Sequence, residues 1–486
     1  MRPSAFNVQV PVATGDVFVM NTLTDAQVLV SNDVASLLDG QEPGTLDPLP
    51  SAPDHQRAAL ETLSENGFLV RRSESERGAL EAHFAAFRED TSQLRITVLT
   101  TLQCNLACEY CYQGEREGVA LPAERMSPET AARVAAWIAR QVDEVRPRRL
   151  VLTFFGGEPL LNTPAMLDIA ERSWRHTSSR GVGQLVNIIT NGLLLSPELV
   201  AQMLPFGLTG VKVTLDGDRE THDRMRPLRG GQGSFDRIIG NIRRVTPMIE
   251  VTIGGNFDEA TAERYPALLD FLKEQEFAPR INKVVFKPII APGSAEPPAG
   301  IIPLTPAGAN PRPLNGSCMT AAGPSGGRSR RAPGAAPAAQ SCDSCHFVDD
   351  TMSFLRVETK RRGFPTPDGV HMGPCELYRR HSHTIGPDGA LYACPGFTGE
   401  YALAVGHIDG RRTAELDAAA GRFERLAPWR RCGDCPFIPV CGGGCAVASH
   451  AELGDMEAPS CHRRSIESAL ASLAEETARG TSGGVQ

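Results

Sequence analysis

Three cysteines, Cys104, Cys108 and Cys111, fall in a C-x3-C-x2-C spacing inside the run T-T-L-Q-C-N-L-A-C-E-Y-C-Y-Q, residues 100–113. A loop holding three thiolates at that spacing can ligate three irons of a [4Fe–4S] cluster and leaves the fourth iron without a protein ligand. An open iron is a place to bind and activate something. Zinc is the competing reading, but zinc knots usually supply four ligands in paired C-x2-C units, and no fourth ligand sits nearby. Further on, F-F-G-G-E-P occupies 154–159. There Gly156 and Gly157 let the backbone come close to a ligand, and Glu158 adds a carboxylate beside it.

A second constellation lies in the C-terminal third. Cys375 precedes Gly389-x4-Cys394; then come Cys432, Cys435, Cys441 and Cys445 in C-x2-C-x5-C-x3-C, and finally Cys461. A zinc ribbon on the four middle cysteines leaves the other three unexplained.

The elements that must position these groups are legible. From 94 to 290 strands and helices alternate, with strands expected over 94–101, 150–155, 185–190, 211–216, 249–256 and 283–290. Several are continuously apolar, as parallel strands covered on both faces are. Ser127 caps a helix with Pro128 in its first turn, and Ala131, Val134, Ala135, Ile138 and Val142 make its buried stripe. Six such units predict a partial (β/α)6 barrel, with its chemistry just past the strand ends on one rim. Residues 1–90 read as a separate small α+β unit. Its strands are expected around Phe6–Val12 (alternating), 17–20, 28–30 and 68–70, with a helix from Asp54 to the Asn66-Gly67 stop and another carrying Leu80, Phe84 and Phe87. Of the 51 residues in 291–341, 18 are Pro or Gly, so a low-complexity insertion is expected there. The expected organisation is therefore 1–90, a barrel over 91–290, a Pro/Gly/Ala-rich linker over 291–350, a cysteine-rich domain over 351–470 and a flexible tail over 471–486.

C-x3-C-x2-C with Tyr110 before the last cysteine resembles the signature loop of the radical S-adenosylmethionine (SAM) enzymes. That resemblance implies that the open iron chelates SAM, and that a cluster electron splits its sulfonium to give a 5′-deoxyadenosyl radical. It also implies that Gly156, Gly157 and Glu158 hold the SAM ammonium. Asn191, Thr214 and Arg226, near the ends of the third and fourth strands, would line its ribose and carboxylate end. The seven later cysteines resemble the SPASM extension of the same enzymes. By that resemblance Cys432, Cys435, Cys441 and Cys461 bind one auxiliary [4Fe–4S] cluster, and Cys375, Cys394 and Cys445 bind another, for three clusters in all. Family members often add a cysteine shortly before the first of these. Here Cys345 and Cys342 are the nearest, so one of them loops back or an iron stays open to a substrate thiolate. Sulfatase-maturing relatives carry an Asp base directly after the cysteine at position 394, where this chain has Pro395. The N-terminal unit resembles the winged-helix-like peptide-recognition domains fused to peptide-modifying enzymes.

A net charge of −8 argues against a general nucleic-acid binder, which needs a basic face for phosphates. No apolar run reaches the ~18 residues of a membrane span, and M-R-P-S-A-F-N-V-Q-V lacks the apolar core of a signal peptide. A cytoplasmic location is expected, where thiols stay reduced and 13 cysteines call for metal more than for crosslinks. The reading is a peptide maturase that modifies, by crosslinking, a residue of a ribosomally made precursor bearing a leader. Its electrons would come from a donor such as flavodoxin or ferredoxin. The alternatives are a sulfatase-maturating or other SPASM oxidase and, as a non-enzyme, an iron–sulfur carrier or redox sensor. A carrier gains nothing from an unligated iron.

Overall fold

The computed structural model describes residues 1–38, 54–71, 75–113, 115–116, 119–120, 124–290, 343–371 and 373–482. The Pro/Gly-rich stretch at 291–341, with Cys318, and Cys342 lie outside the described residues. The N-terminal part runs β1 (Arg2–Pro3), β2 (Asn7–Pro11), β3 (Val17–Asn21), β4 (Ala26–Val30), α1 (Asn32–Ala35), α2 (Asp54–Glu65), β5 (Leu69–Val70) and α3 (Glu76–Glu89). Strands β2, β3 and β4 form an antiparallel sheet in that order, and β5 pairs with β1. Ser75 caps α3 by accepting from the Gly78 N–H, which leaves Leu80 and Phe84 to face inward.

The central sheet is built by β6 (Gln93–Leu99), a small hairpin β7 (Glu115–Arg116) and β8 (Val119–Ala120) after the cysteine loop, then α4 (Pro128–Val145), β9 (Arg149–Phe155), α5 (Thr163–Ser179), β10 (Gly183–Thr190), α6 (Pro197–Met203), β11 (Leu208–Thr214), α7 (Arg219–Met225), α8 (Phe235–Val245), β12 (Glu250–Phe257), α9 (Tyr265–Lys273) and β13 (Ile281–Pro288). All six expected strands are present, within a few residues of the expected ends. They stack in the order β6-β9-β10-β11-β12-β13, each parallel to the next. Ser127 accepts from the Thr130 N–H and starts α4 as its sequence predicts.

Burial alternates along these strands, which departs from the two-sided burial expected. In β9, Leu150, Leu152 and Phe154 are fully buried under the helices, while Val151, Thr153 and Phe155 are only half-buried. Register carries this alternation across the sheet: Thr153 lies beside Asn187, Ile189 beside Lys212, and Lys212 beside Thr252. One face is therefore a helix-covered core and the other is an open face lined by Thr, Asn and Lys.

The remaining elements are α10 (Asp343–Arg361), β14 (Ser382–Ile385), β15 (Ala390–Tyr392), β16 (Gly406–His407), α11 (Ala414–Arg425), α12 (Ile438–Cys441), α13 (Ala446–Leu453) and α14 (Arg463–Ser482). Three of these correct the expected organisation. The first turns of α10 lie in the segment expected to be linker. That helix packs on α9 and β13, where Arg362 just beyond it makes paired bonds of 2.6 and 2.7 Å to Asp270. Strand β14 pairs in parallel with β6, Ser382 beside Arg95, so the central sheet continues through β14, β15 and β16 to nine strands. Residues 471–482 are not a tail but the second half of α14. The small residues Ala469, Ala474 and Ala478 of α14, with Leu470, bury against Val12, just past β2, and Phe18 and Met20 of β3. The same joining recurs at α3, where the Phe84 ring stacks on Trp429 at 3.9 Å and Arg430 grips both oxygens of Glu81.

Candidate active site at the cysteine loop

Strand β6 runs into the buried Thr100 and Thr101, and the cysteine loop follows at the rim of the open face. Two segments hold the loop. On one side the Gly157 N–H donates to Thr101 O (3.0 Å) and the Glu158 N–H to Gln103 O (2.8 Å). On the other, Leu106 bridges to Leu228, the Ala107 N–H donates to Pro227 O (2.9 Å), and Arg229 Nε donates to Cys104 O (2.7 Å). The role of the two glycines follows from this packing. A Cβ on Gly156 would meet Thr101 O at 2.3 Å, and one on Gly157 would meet Gln103 O at 2.3 Å. Gly156 also has φ +140°, which L side chains rarely adopt. The close approach made by these glycines is to the cysteine loop itself.

Cys104, Cys108 and Cys111 are half-buried free thiols. Burial pushes the Cys104 thiol up and takes Cys108 to about 11, and the neighbouring thiols of the trio add to both shifts. The three sulfurs thus converge within electrostatic reach of one another. Cys104 Sγ accepts from the Leu106 N–H (3.4 Å) and from Asn191 Nδ2 (3.8 Å), bonds of the kind that tune a thiolate's donation to a metal.

Glu158 is fully buried and its carboxylate is engaged on both oxygens. Oε1 accepts from the Leu160 N–H (3.0 Å) and Thr190 Oγ1 (2.7 Å), and Oε2 from the Asn191 N–H (2.8 Å). It ties the end of β9 to the end of β10. Asn191 in turn donates to Asn105 Oδ1 (2.7 Å), so this joint reaches the cysteine loop. Thr214 ends β11, half-buried, with its side chain on the open face.

Arg226 sits in a buried network that spacing alone does not reveal. Its Nη1 donates to Tyr110 Oη (2.6 Å) and Asp216 Oδ2 (3.3 Å), Tyr110 Oη donates to the same carboxylate, and the Asn256 N–H donates to Asp216 Oδ1 (2.7 Å). His222 Nδ1 accepts from the Asp216 N–H (3.2 Å), which leaves its proton on Nε2 facing Ser234 Oγ at 3.0 Å. Burial, then the Arg226 charge, pull His222 well below its usual range, so it is neutral. Arg226 Nε is buried and has no hydrogen-bond partner among the described residues. An orphaned guanidinium N–H in electrostatic contact with Cys104 and Cys108 is a place for an anionic group.

The later cysteines converge in two sets. Cys394 feels Cys375 and Cys445, while Cys441 feels Cys461 and Cys435, and Cys432 feels all three of those. Burial first, then these neighbours, carry Cys394 and Cys432 to about 12. The loop between Cys441 and Cys445 is closed by glycines with positive φ. A Cβ on Gly444 (φ +88°) would meet Ser460 O at 1.9 Å, and the Ser460 N–H donates to Gly443 O (2.9 Å), which brings Cys461 to Cys441. Tyr378 stands between the sets, in reach of Cys375, Cys441, Cys445 and Cys432. Cys345 lies at the start of α10. Among the described residues no three Cys, His, Asp or Glu side chains converge closely enough to hold a single metal ion. Three thiols within electrostatic reach of one another, with an unpartnered guanidinium beside them, fit a multi-iron group with an anionic ligand.

Residues 98–272 match the Radical SAM superfamily. The chain carries a radical SAM domain. Relatives of this domain include the Fe-coproporphyrin III synthase of Methanosarcina barkeri, 28% identical over 203 residues, 42% of this chain and 46% of the relative. The serine-type anaerobic sulfatase-maturating enzyme of Bacteroides thetaiotaomicron is 27% identical over 191 residues, 37% of this chain and 45% of that one. The sporulation killing factor maturation protein SkfB of Bacillus subtilis is 25% identical over 182 residues, 37% and 40%. The chain thus spans less than half the length of each of these relatives. In fold, it superposes on native anSMEcpe with bound AdoMet at a TM-score of 0.55, with 15% identity, covering 80% of this chain and 100% of that one. The radical SAM domain accounts for the parallel sheet and the rim on which the cysteine loop sits. No helix among the described residues is long and apolar enough to cross a membrane.

Proposed function

We propose that this chain is a radical SAM peptide maturase that modifies, by crosslinking, a residue of a ribosomally made precursor. The observation that carries the reading is the convergence of Cys104, Cys108 and Cys111 on a rim clamped by Gly156 and Gly157, with the unpartnered Nε of Arg226 beside them. When bound, a [4Fe–4S] cluster with SAM would supply the radical chemistry that removes a hydrogen atom from substrate.

The chain's own residues do the rest. Cys104, Cys108 and Cys111 hold the cluster. Arg226 Nε would be the donor for the SAM carboxylate, and Tyr110 and Asp216 fix its guanidinium. Gly156 and Gly157 offer backbone to the ammonium, and Glu158 keeps that backbone in place. Asn191 and Thr214 would border the ribose. The half-exposed face of the sheet takes the substrate and keeps bulk water from the reacting atoms once the peptide covers it.

The two later sets of thiols, read as a SPASM domain, would hold two auxiliary clusters that accept the electron left by substrate oxidation. The relatives that mature peptides and sulfatases support a peptide substrate. The N-terminal sheet supports leader binding in a winged-helix-like unit, since among the described residues β4 pairs only with β3 and can accept an added strand. A flavodoxin or ferredoxin in the cytoplasm would supply the reducing electron. The sulfatase-type oxidase has less support, because Pro395 follows Cys394 where that chemistry needs a base.

The test is anaerobic reconstitution, then reduction in the presence of SAM. Release of 5′-deoxyadenosine is expected, and Cys104→Ala should stop it. Zinc in place of iron at the three cysteines, or reduction without SAM cleavage, would refute the proposal.

A further inference from the structure

The open face of the sheet carries a cation that has no acidic partner among the described residues. Lys212 is at the middle of β11, half-buried, between Ile189 of β10 and Thr252 of β12. It makes no hydrogen bond or ion pair among the described residues. Its stem lies across β12 in the space left by Gly254, where a Cβ would meet Lys212 Cε at 2.4 Å and Nζ at 3.3 Å. That path carries the ammonium toward β13, where Lys287 sits beside Asn256 on the same face. The two lysines feel each other. Residues sharing this face on β6 and β9 to β13, read from the register, include one acid, Glu250. It lies at the opposite end from the cysteine rim and accepts from Asn282 Nδ2 at 2.8 Å. Burial, and next Lys287, lower the Lys212 ammonium to about 8, as expected for a charge taken from water without a counter-ion. A charge partly withdrawn from water is normally paired; among the described residues Lys212 has no partner, while Lys287 lies within electrostatic reach of Cys375 and Cys394.

We propose that Lys212, assisted by Lys287, forms a carboxylate-binding subsite on the open face and selects an Asp or Glu side chain next to the reacting residue of the substrate. The subsite rests on the peptide-substrate reading above and narrows it: the modified segment is acidic. An arginine at 212 could still grip a carboxylate but could not serve as a proton acceptor, so it separates this role from that of a base.

The experiment uses the full-length reconstituted protein with SAM. Trace acetic anhydride labelling at fixed pH reads the reactivity of Lys212 against the exposed Lys273 by mass spectrometry. The probe is N-acetylglutamate N-methylamide, and its glutamine counterpart is the control. At about four times its Kd the probe should leave about one fifth of the sites open, slowing Lys212 acetylation about fivefold. The glutamine compound should not slow it. By saturation-transfer NMR, Lys212→Arg should keep glutamate-probe binding and Lys212→Met should lose it. Equal protection by both probes, protection by neither, or loss of binding in Lys212→Arg would overturn the subsite. SAM cleavage is measured on the same preparation. If it persists while protection fails, only the subsite falls; if it is absent while protection holds, the radical reading falls and the subsite stands.

Discussion

Glu158→Gln separates two jobs that one carboxylate could do. In the structure its Oε1 takes two bonds, from Leu160 N–H and Thr190 Oγ1, and Oε2 takes the Asn191 N–H at 2.8 Å. The best-placed amide keeps its oxygen on the first pair and turns an NH2 toward the Asn191 N–H. One bond to a charged acceptor is lost, and a buried donor is left facing another donor. Such a loss costs about 2–3 kcal/mol, which is roughly 30- to 150-fold in a local opening equilibrium. Hydrogen exchange of the SAM-free protein, read by mass spectrometry on peptides covering 186–195, should show the Asn191 amide exchanging faster by that factor, with peptides from α14 unchanged. SAM affinity should fall as well, because Asn191 also holds Asn105 of the cysteine loop at 2.7 Å. If exchange at Asn191 changes less than about threefold while SAM binding is abolished, the carboxylate touches the ligand directly and the joint inferred here is wrong.

Three further outcomes are expected. Gly157→Ala drives a methyl into Gln103 O, a clash of the overpacking kind that costs about 1–3 kcal/mol or more, so the cysteine loop should not seat and about four irons should be lost on reconstitution. The unaltered chain should take up about 12 irons, and Cys375→Ala with Cys394→Ala about four fewer; an unchanged count in that double variant would dissolve the second set of thiols. The hydrogen bonds from Ser92, then Arg379, hold the Asp90 carboxyl at about 2, below its ordinary 3.8. The folded pKa is the lower one, so the contribution is present above about pH 4 and is lost as pH falls toward 2. The thermal midpoint of the metal-free protein should drop more steeply over that window than that of Asp90→Asn, and coincident slopes would remove the contact from the account.

The parts of the fold that can be read in advance are those where one segment states its own fate. Leu150, Leu152 and Phe154 declare a covered strand, and Ser127-Pro128 declares a helix start, because burial and capping are local demands. Thr153 and Thr252 did not betray the open face, since a half-buried threonine is unremarkable until register lines it up with its neighbours. Strand β14 is only four residues long and finds β6 across nearly 300 positions, which no periodicity announces. The second half of α14 reads as a tail because the helix's contact surface is mostly alanine, whose burial depends on the neighbour coming close. At the site, cysteine spacing was decisive for grouping thiols. The Tyr110–Asp216–Arg226 network was hidden because it joins three loops 106 and 10 residues apart in sequence. The role of Glu158 turned on direction, which sequence does not carry.

The extension of the central sheet past β6 has a mechanical meaning. Strand β6 ends a few residues before the first trio of sulfurs and β15 ends just before Cys394, and the two are stitched through β14 by main-chain bonds. On the auxiliary-cluster reading proposed above, the gap an electron would cross between those ends is a property of the scaffold, indifferent to whichever guest occupies the open face. Loops over that face could then be rewritten for a new guest without moving the two groups of thiols relative to each other.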